Sequence, residues 1–242
     1  MIGLGTIINS AAIAAGGIIG LFAGKLFKSD QQEALNKACG VSVIFIAVSG
    51  AMEGMLTVNG GRLSSGKAML VALCLAIGTV IGELIGIERL FERFGEWLKS
   101  KTGNKGDDGF VNAFVTASLT VSIGAMVAIV GAIKDGLQGD YSTLAVKSVL
   151  DFVIIAVMTS SMGRGCIFSA IPVLVFEGII TLLAHVVAPV MTEAAVSYLS
   201  LIGSVLIFCI GVNLVWGKKF RVANMLPAVL FAIAAAYLPW SF

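Results

Sequence analysis

Charge is what this sequence has least of. Only 12% of its 242 residues are Asp, Glu, Lys or Arg, where a soluble domain carries about 25%. Histidine occurs once, at His185, which excludes a zinc site built on several histidines. The four cysteines, Cys39, Cys74, Cys166 and Cys209, form no CxxC or metal-ligand spacing and read as small packing residues. No glycine-rich phosphate loop is present, so nothing in the chain powers transport by ATP hydrolysis. Neither a nucleophile–base pair nor a serine–histidine arrangement stands out. An enzyme is therefore not expected, and neither is a cofactor or a nucleic-acid partner. Metal binding is left open.

What is abundant points to lipid. Hydrophobic residues make up 58% of the chain, and its mean hydropathy is +1.00. The 29 glycines suit closely packed membrane helices. The expected fold is all-α, a polytopic membrane helix bundle in one transmembrane domain covering 1–242. Eight apolar runs are read as spans, at 3–24, 38–57, 68–87, 110–133, 144–162, 167–188, 197–216 and 222–238. Each is near the ~20 residues that cross hydrocarbon. The last is short and ends in proline, so a re-entrant or interfacial segment is the alternative there. Met1 leads directly into span one, which predicts a retained helix rather than a cleaved signal.

Loop charge orients these spans. With the N-terminus outside, the inner loops hold Lys25, Lys28, Lys37, Arg89, Arg93, Lys99, Lys101, Lys105, Arg164, Lys218, Lys219 and Arg221. Arg62, Lys67, Lys134 and Lys147 fall outside. The positive-inside rule then predicts that both termini lie on the outer side of the membrane if all eight spans cross. The longest connection, 88–109, opens IERLFERFGEWLKSK. Its alternating apolar and charged residues predict an amphipathic continuation of span three along the inner interface.

Internal echoes suggest a repeat. IAVSGAMEGML in span two resembles VAIVGAIKDGL in span four, and GVSVIFIAVSGAME resembles LIGSVLIFCIGVNL in span seven. Spans two and seven run oppositely in the charge-derived topology. This predicts an N-terminal three-helix unit at 1–90 and a C-terminal inverted unit at 166–242, around a central helix pair at 110–162. Inverted units with kinked or broken helices build many alternating-access transporters.

Three carboxylates carry the functional expectation. Glu83, Asp151 and Glu177 sit inside long apolar runs, where an acid faces a partner, a cavity or a translocation path. Asn9, Asn112, Thr116 and Asn213 supply neutral polar groups for the same path. Pro172, Gly163, Gly165 and Pro227 mark expected helix breaks or gating points. His185 lies two helical turns from Glu177 and is read either as its partner or as a packing residue. Gly16, Gly20 and Gly24 in span one, and Gly78, Gly82 and Gly86 in span three, recur at the four-residue spacing of a helix-contact face. These faces also suit a homodimer.

The ordered motifs resemble one family. GTIINSAAIAAGGIIGLFAGK is followed by FVNAFVTASLTVSIGAMVAIVGAIKDGLQGD. LAVKSVLDFVIIAVMTSSMGRGCIFSAIPVLVFEGIITLLA comes next, and GVNLVWGKKFRVANMLPA closes the series. Over nearly its full length the chain resembles the bacterial DUF554 membrane proteins. The resemblance implies a polytopic inner-membrane protein and supplies neither a substrate nor catalytic residues. The expected function is transport of an ion or small solute, coupled to a proton or monovalent cation through the intramembrane carboxylates. The alternatives are an ion channel and a non-transport scaffold or sensor.

Overall fold

The computed structural model describes residues 2–104, 106–122 and 125–238. In chain order these form α1 (Leu4–Gly24), α2 (Ser29–Met55), a hairpin of β1 (Leu56–Asn59) and β2 (Arg62–Ser65), and α3 (Ala68–Ile85). Next come α4 (Ile87–Lys101), α5 (Phe110–Ser122), α6 (Ala125–Gln138) and α7 (Ser142–Met162). A 3₁₀ segment, Arg164–Ser169, leads into α8 (Ala170–Leu182) and the single turn α9 (Ala184–Val187). A second 3₁₀ turn, Ala188–Val190, precedes α10 (Glu193–Trp216), α11 (Val222–Met225) and α12 (Pro227–Ala235).

Among the described residues, six helical stretches are long and apolar enough to cross a membrane, namely α1, most of α2, α3, α7, Arg164–Leu182 and α10. Phe110–Ser122 and Val222–Ala235 are shorter apolar helices. Only 17% of the apolar window of α2 is buried, so most of its hydrophobic surface faces outward. Phe45, Leu84, Leu182 and Leu230 are likewise exposed on four different helices. In water such a belt would drive association. In a bilayer it is the solvated surface. The chain is a helical membrane protein.

Glycine decides which helices touch. A Cβ on Gly16 or Gly20 would strike the carbonyl oxygen of Phe152 or Ala156, and one on Gly24 would sit 2.8 Å from that of Ser160. The stripe thus presses α1 backbone against α7, with the two helices parallel. A second seam joins α2 to α10 in antiparallel fashion, with Gly40 beside Leu214 and Gly54 beside Leu201. Gly78 and Gly82 do the same for α3 against Ala228 and Asn224. Gly86, the third member of the span-three stripe, plays a different part. Its φ of 71° ends α3 and starts α4, a left-handed turn that glycine adopts without a Cβ clash.

The hairpin departs from the all-α expectation. Asn59 is followed by Gly60 and Gly61 at φ 58° and 76°, and positive φ at both central residues is the type I′ geometry that matches strand twist. Four residues pair on each side, from Leu56 with Ser65 to Asn59 with Arg62. The expected span 110–133 corresponds to α5 and part of α6, and its residues 123–124 lie outside the described ones.

Proline also behaves differently from expectation. Pro172 is the third residue of α8, where an α-helix has no internal acceptor for its first amides. It therefore starts a regular helix, and the irregular backbone lies before it in the 3₁₀ segment. Gly165 lets that segment approach α5, since a Cβ there would meet the Phe110 carbonyl and sit 2.9 Å from the Phe114 nitrogen. Gly163, at φ 95°, closes α7. Pro227 follows α11 and opens α12, so a helix interruption does fall there.

Gly20→Ala is expected to cost about 1–3 kcal/mol through overpacking, with Gly106→Ala, which meets nothing within 4 Å, as a near-neutral control. Thermal unfolding in detergent compares the two. Equal melting temperatures would contradict the α1–α7 seam.

Candidate functional site

The helix seams bring a ladder of polar groups together inside the bundle. It starts where α1 begins. Gly3 and Gly5 lack internal acceptors there, and their amides donate to Asp135 on α6 at 3.2 and 2.9 Å. A carboxylate suits the positive end of a helix, and Asp135 is fully buried in this role. One step inward, the Thr6 and Thr181 hydroxyls share a hydrogen bond of 3.1 Å between α1 and α8. Next, the Asn9 side-chain amide donates to Glu177 Oε1 at 2.8 Å. Positions 6 and 9 lie on one face of α1, and 177 and 181 on one face of α8.

At the inner end of the ladder sits a cation. Lys147 Nζ pairs with Asp151, one turn further along α7, and lies 3.4 Å from Glu177 Oε1. It also donates to the Val121 carbonyl at 3.0 Å. The lysine and both acids are buried. Asp151 stands nine residues into α7, roughly 14 Å along the axis at 1.5 Å per residue, so this is not an interfacial pair. Two oxygens in the cluster have no partner: Asn9 Oδ1 and Glu177 Oε2. Among the described residues, no group of three or more His, Cys, Asp and Glu side chains is placed to hold a metal ion.

A cavity of about 900 Å³ lies toward the α4 end of the bundle. Its charged rim includes Glu33, Lys37, Glu92, Arg93 and Lys218. Asn112 and Thr116 of α5 line it, followed by Leu119, two residues short of the carbonyl that Lys147 holds. Leu119 and Ile210, which both face this cavity, are buried apolar residues. A second cavity, about 580 Å³, opens at the hairpin end between α2, α6 and α10, with Glu53 and Glu193 in its wall.

The expected path residues thus fall into three places. Asn9, Asp151 and Glu177 meet in the ladder. Asn112, Thr116 and Asn213 line the larger cavity. Asn213 is largely engaged there in closing the turn after α10, accepting from the Lys219 and Phe220 amides and donating to the Phe220 carbonyl. Glu83 is elsewhere. It pairs with Arg221 at 3.1 Å and is part-exposed, because the chain turns at Gly86 and leaves Glu83 one turn from the end of α3. Asn224 caps α4 by accepting the Glu88 amide at 2.7 Å. His185 is exposed on α9, away from buried Glu177.

Lys147 and Asp135 are the charged members that sequence reasoning missed, and the Thr6–Thr181 pair was missed with them. Lys147 was counted as an outer-loop charge, yet it lies four residues before Asp151, the spacing at which a helix pairs opposite charges. Asp135 was hidden among the polar residues that close the fourth apolar run.

The sequence comparisons agree with this architecture. The family model described as "Protein of unknown function (DUF554)" matches residues 4–237. The chain belongs to that family. It is 28% identical over 228 residues to the uncharacterized membrane protein YdfK of Bacillus subtilis (strain 168), covering 93% of this chain and 92% of the relative. It is also 26% identical over 250 residues to the uncharacterized protein YqgA of Escherichia coli (strain K12), covering 98% of each. No solved structure matches the chain.

Lys147→Met would leave two buried carboxylates without their cation. The expected loss is about 3–5 kcal/mol of stability, partly recovered in Lys147→Met/Asp151→Asn. A double-mutant cycle by thermal unfolding reads the coupling, and additive losses would contradict the pair. At the α4 end, partial burial pulls the Lys218 ammonium down, but hydrogen bonds and charges from Glu88 and Glu92 outweigh it and hold the group above the ordinary lysine range. A raised folded value means that the stabilisation is complete below the unfolded lysine value and fades as pH rises through the folded one. Stability measured toward alkaline pH is expected to fall through that window in wild type and to fall less in Glu88→Gln.

Proposed function

We propose that the protein is a membrane transporter of an ion or small solute, coupled to a proton or monovalent cation through the Lys147–Asp151–Glu177 cluster. The observation that carries this reading is a three-charge cluster sealed between apolar helices, in a bundle that also holds one cavity near its α4 end and another near its hairpin end. Intramembrane charge is expensive to retain and marks ion and substrate pathways. Asn112 and Thr116 offer hydrogen-bonding groups to a solute in the α4-side cavity. Leu119 lines that cavity two residues before the Val121 carbonyl that Lys147 holds, so α5 links the two.

Packing direction supports eight crossings. α1 and α7 run parallel, as spans one and five must, while α2 opposes α10 and α3 opposes α11–α12. Moving Lys147 into the core leaves Arg62, Lys67 and Lys134 as the outer basic residues, which strengthens the charge bias toward external termini. The bacterial relatives support the cytoplasmic membrane as its location. Contacts between the expected units at 1–90 and 166–242 lend support to an inverted relation. α1 packs against α8, α2 against α10 and α3 against α12, each pair antiparallel. The alternating-access reading draws its support from that arrangement.

Purified protein in liposomes, challenged with an ion and small-metabolite panel under imposed proton and sodium gradients, tests the proposal. Saturable, gradient-driven uptake is expected in wild type, with most of the rate lost in folded Asp151→Asn. Ungated conductance would instead identify a channel, and no flux under either gradient would favour a scaffold or sensor.

A further inference from the structure

We propose that Glu177 is a single-proton site, with the Lys147–Asp151 pair acting as its fixed counter-charge; the inference deepens the transport reading and rests on it for the site's use. The argument begins with charge. The cluster holds one ammonium and two carboxyl groups, so full ionisation would leave one uncompensated negative charge. A buried carboxyl avoids that cost by taking up a proton. Asp151 is the ionised partner, since Lys147 contacts it most closely and reaches Glu177 only at 3.4 Å.

The unpaired atoms then place the proton. Glu177 Oε1 already accepts from Asn9, while Oε2 is buried and has no partner. Asn9 Oδ1, on the side chain that donates to Oε1, is likewise buried without a partner. A proton on Oε2 neutralises a carboxyl whose second oxygen no donor stabilises. A sodium or potassium ion fits less well. It would need several oxygen ligands where two are free, and it would sit close to the Lys147 ammonium.

Among the described residues, the other charges on the elements around α8 are engaged elsewhere. α1 contributes Asn9 and Thr6, and its sequence contains no ionisable side chain. α5 likewise carries none. On α6 the described acid is Asp135, whose oxygens are taken by the Gly3 and Gly5 amides. On α9, His185 is exposed, and Arg164 of the 3₁₀ segment is exposed and bonded to Asn104. Among the described residues, the charged group in contact with Glu177 is therefore Lys147 of α7.

Infrared difference spectroscopy of the full protein in lipid, titrated across pH with and without sodium or potassium, tests the assignment. A protonated buried carboxyl gives a carbonyl band separate from that of solvent-exposed acids. The band is expected in wild type, to shift with carbon-13-labelled glutamate but not aspartate, and to ignore sodium and potassium. It should vanish in Glu177→Gln. It should also vanish near neutral pH in Asp151→Asn, where Lys147 and an ionised Glu177 already balance. The wild-type isotope result stands even where a variant fails to fold. Absence of the band, a shift with aspartate, or its loss on adding sodium would overturn the proposal. A Glu177 band without liposome flux would instead reject transport while leaving the proton site, and flux without the band would do the reverse.

Discussion

The buried ammonium of Lys147 is the group on which the interior depends. It holds acids from α7 and α8 and a backbone carbonyl from α5, so three separate segments converge on one side-chain nitrogen. Low dielectric makes such contacts strong and makes their loss costly. A charged centre is a poor way to gain stability, since apolar side chains of equal volume fill a core more cheaply. Its retention in the middle of an apolar bundle is what points to function.

The glycine seams make that centre possible. Backbone contact between α1 and α7 brings Asn9 within reach of α8 and keeps Lys147 beside both. Bulkier side chains at Gly16 or Gly20 would push α1 outward and open the Asn9–Glu177 bond. Packing and chemistry are therefore linked through a few missing Cβ atoms, where a soluble protein would rely on interlocking large side chains. The seams also leave the outward faces of the helices free to stay uniformly apolar.

Much of this could be read from the sequence, for specific reasons. Asp151 and Glu177 were legible because an acid within an apolar run has few innocuous explanations in lipid. The glycine stripes were legible because four-residue spacing defines a face. Glu83 misled because it stands in an apolar run, yet it lies only one turn before the Gly86 corner, where Arg221 reaches it. Lys147 was hidden by its place near a helix start, where lysines commonly reach for the headgroups. Asp135 partners backbone amides 130 residues away in sequence, and no local pattern encodes that. The hairpin rested on Asn59–Gly60–Gly61, a short signal easily lost between two long hydrophobic runs.

Gly86 has one more implication. It belongs to both helix ends, so α3 and α4 are joined with no spare residue between them. Asn224 clamps the same corner, its backbone packed on Gly82 and its side chain on the Glu88 amide. An amphipathic helix tethered this tightly works as a crank. A change in the angle of α4 therefore has no loop to absorb it, and it bears on α3 and, through Asn224, on the helix interruption before Pro227.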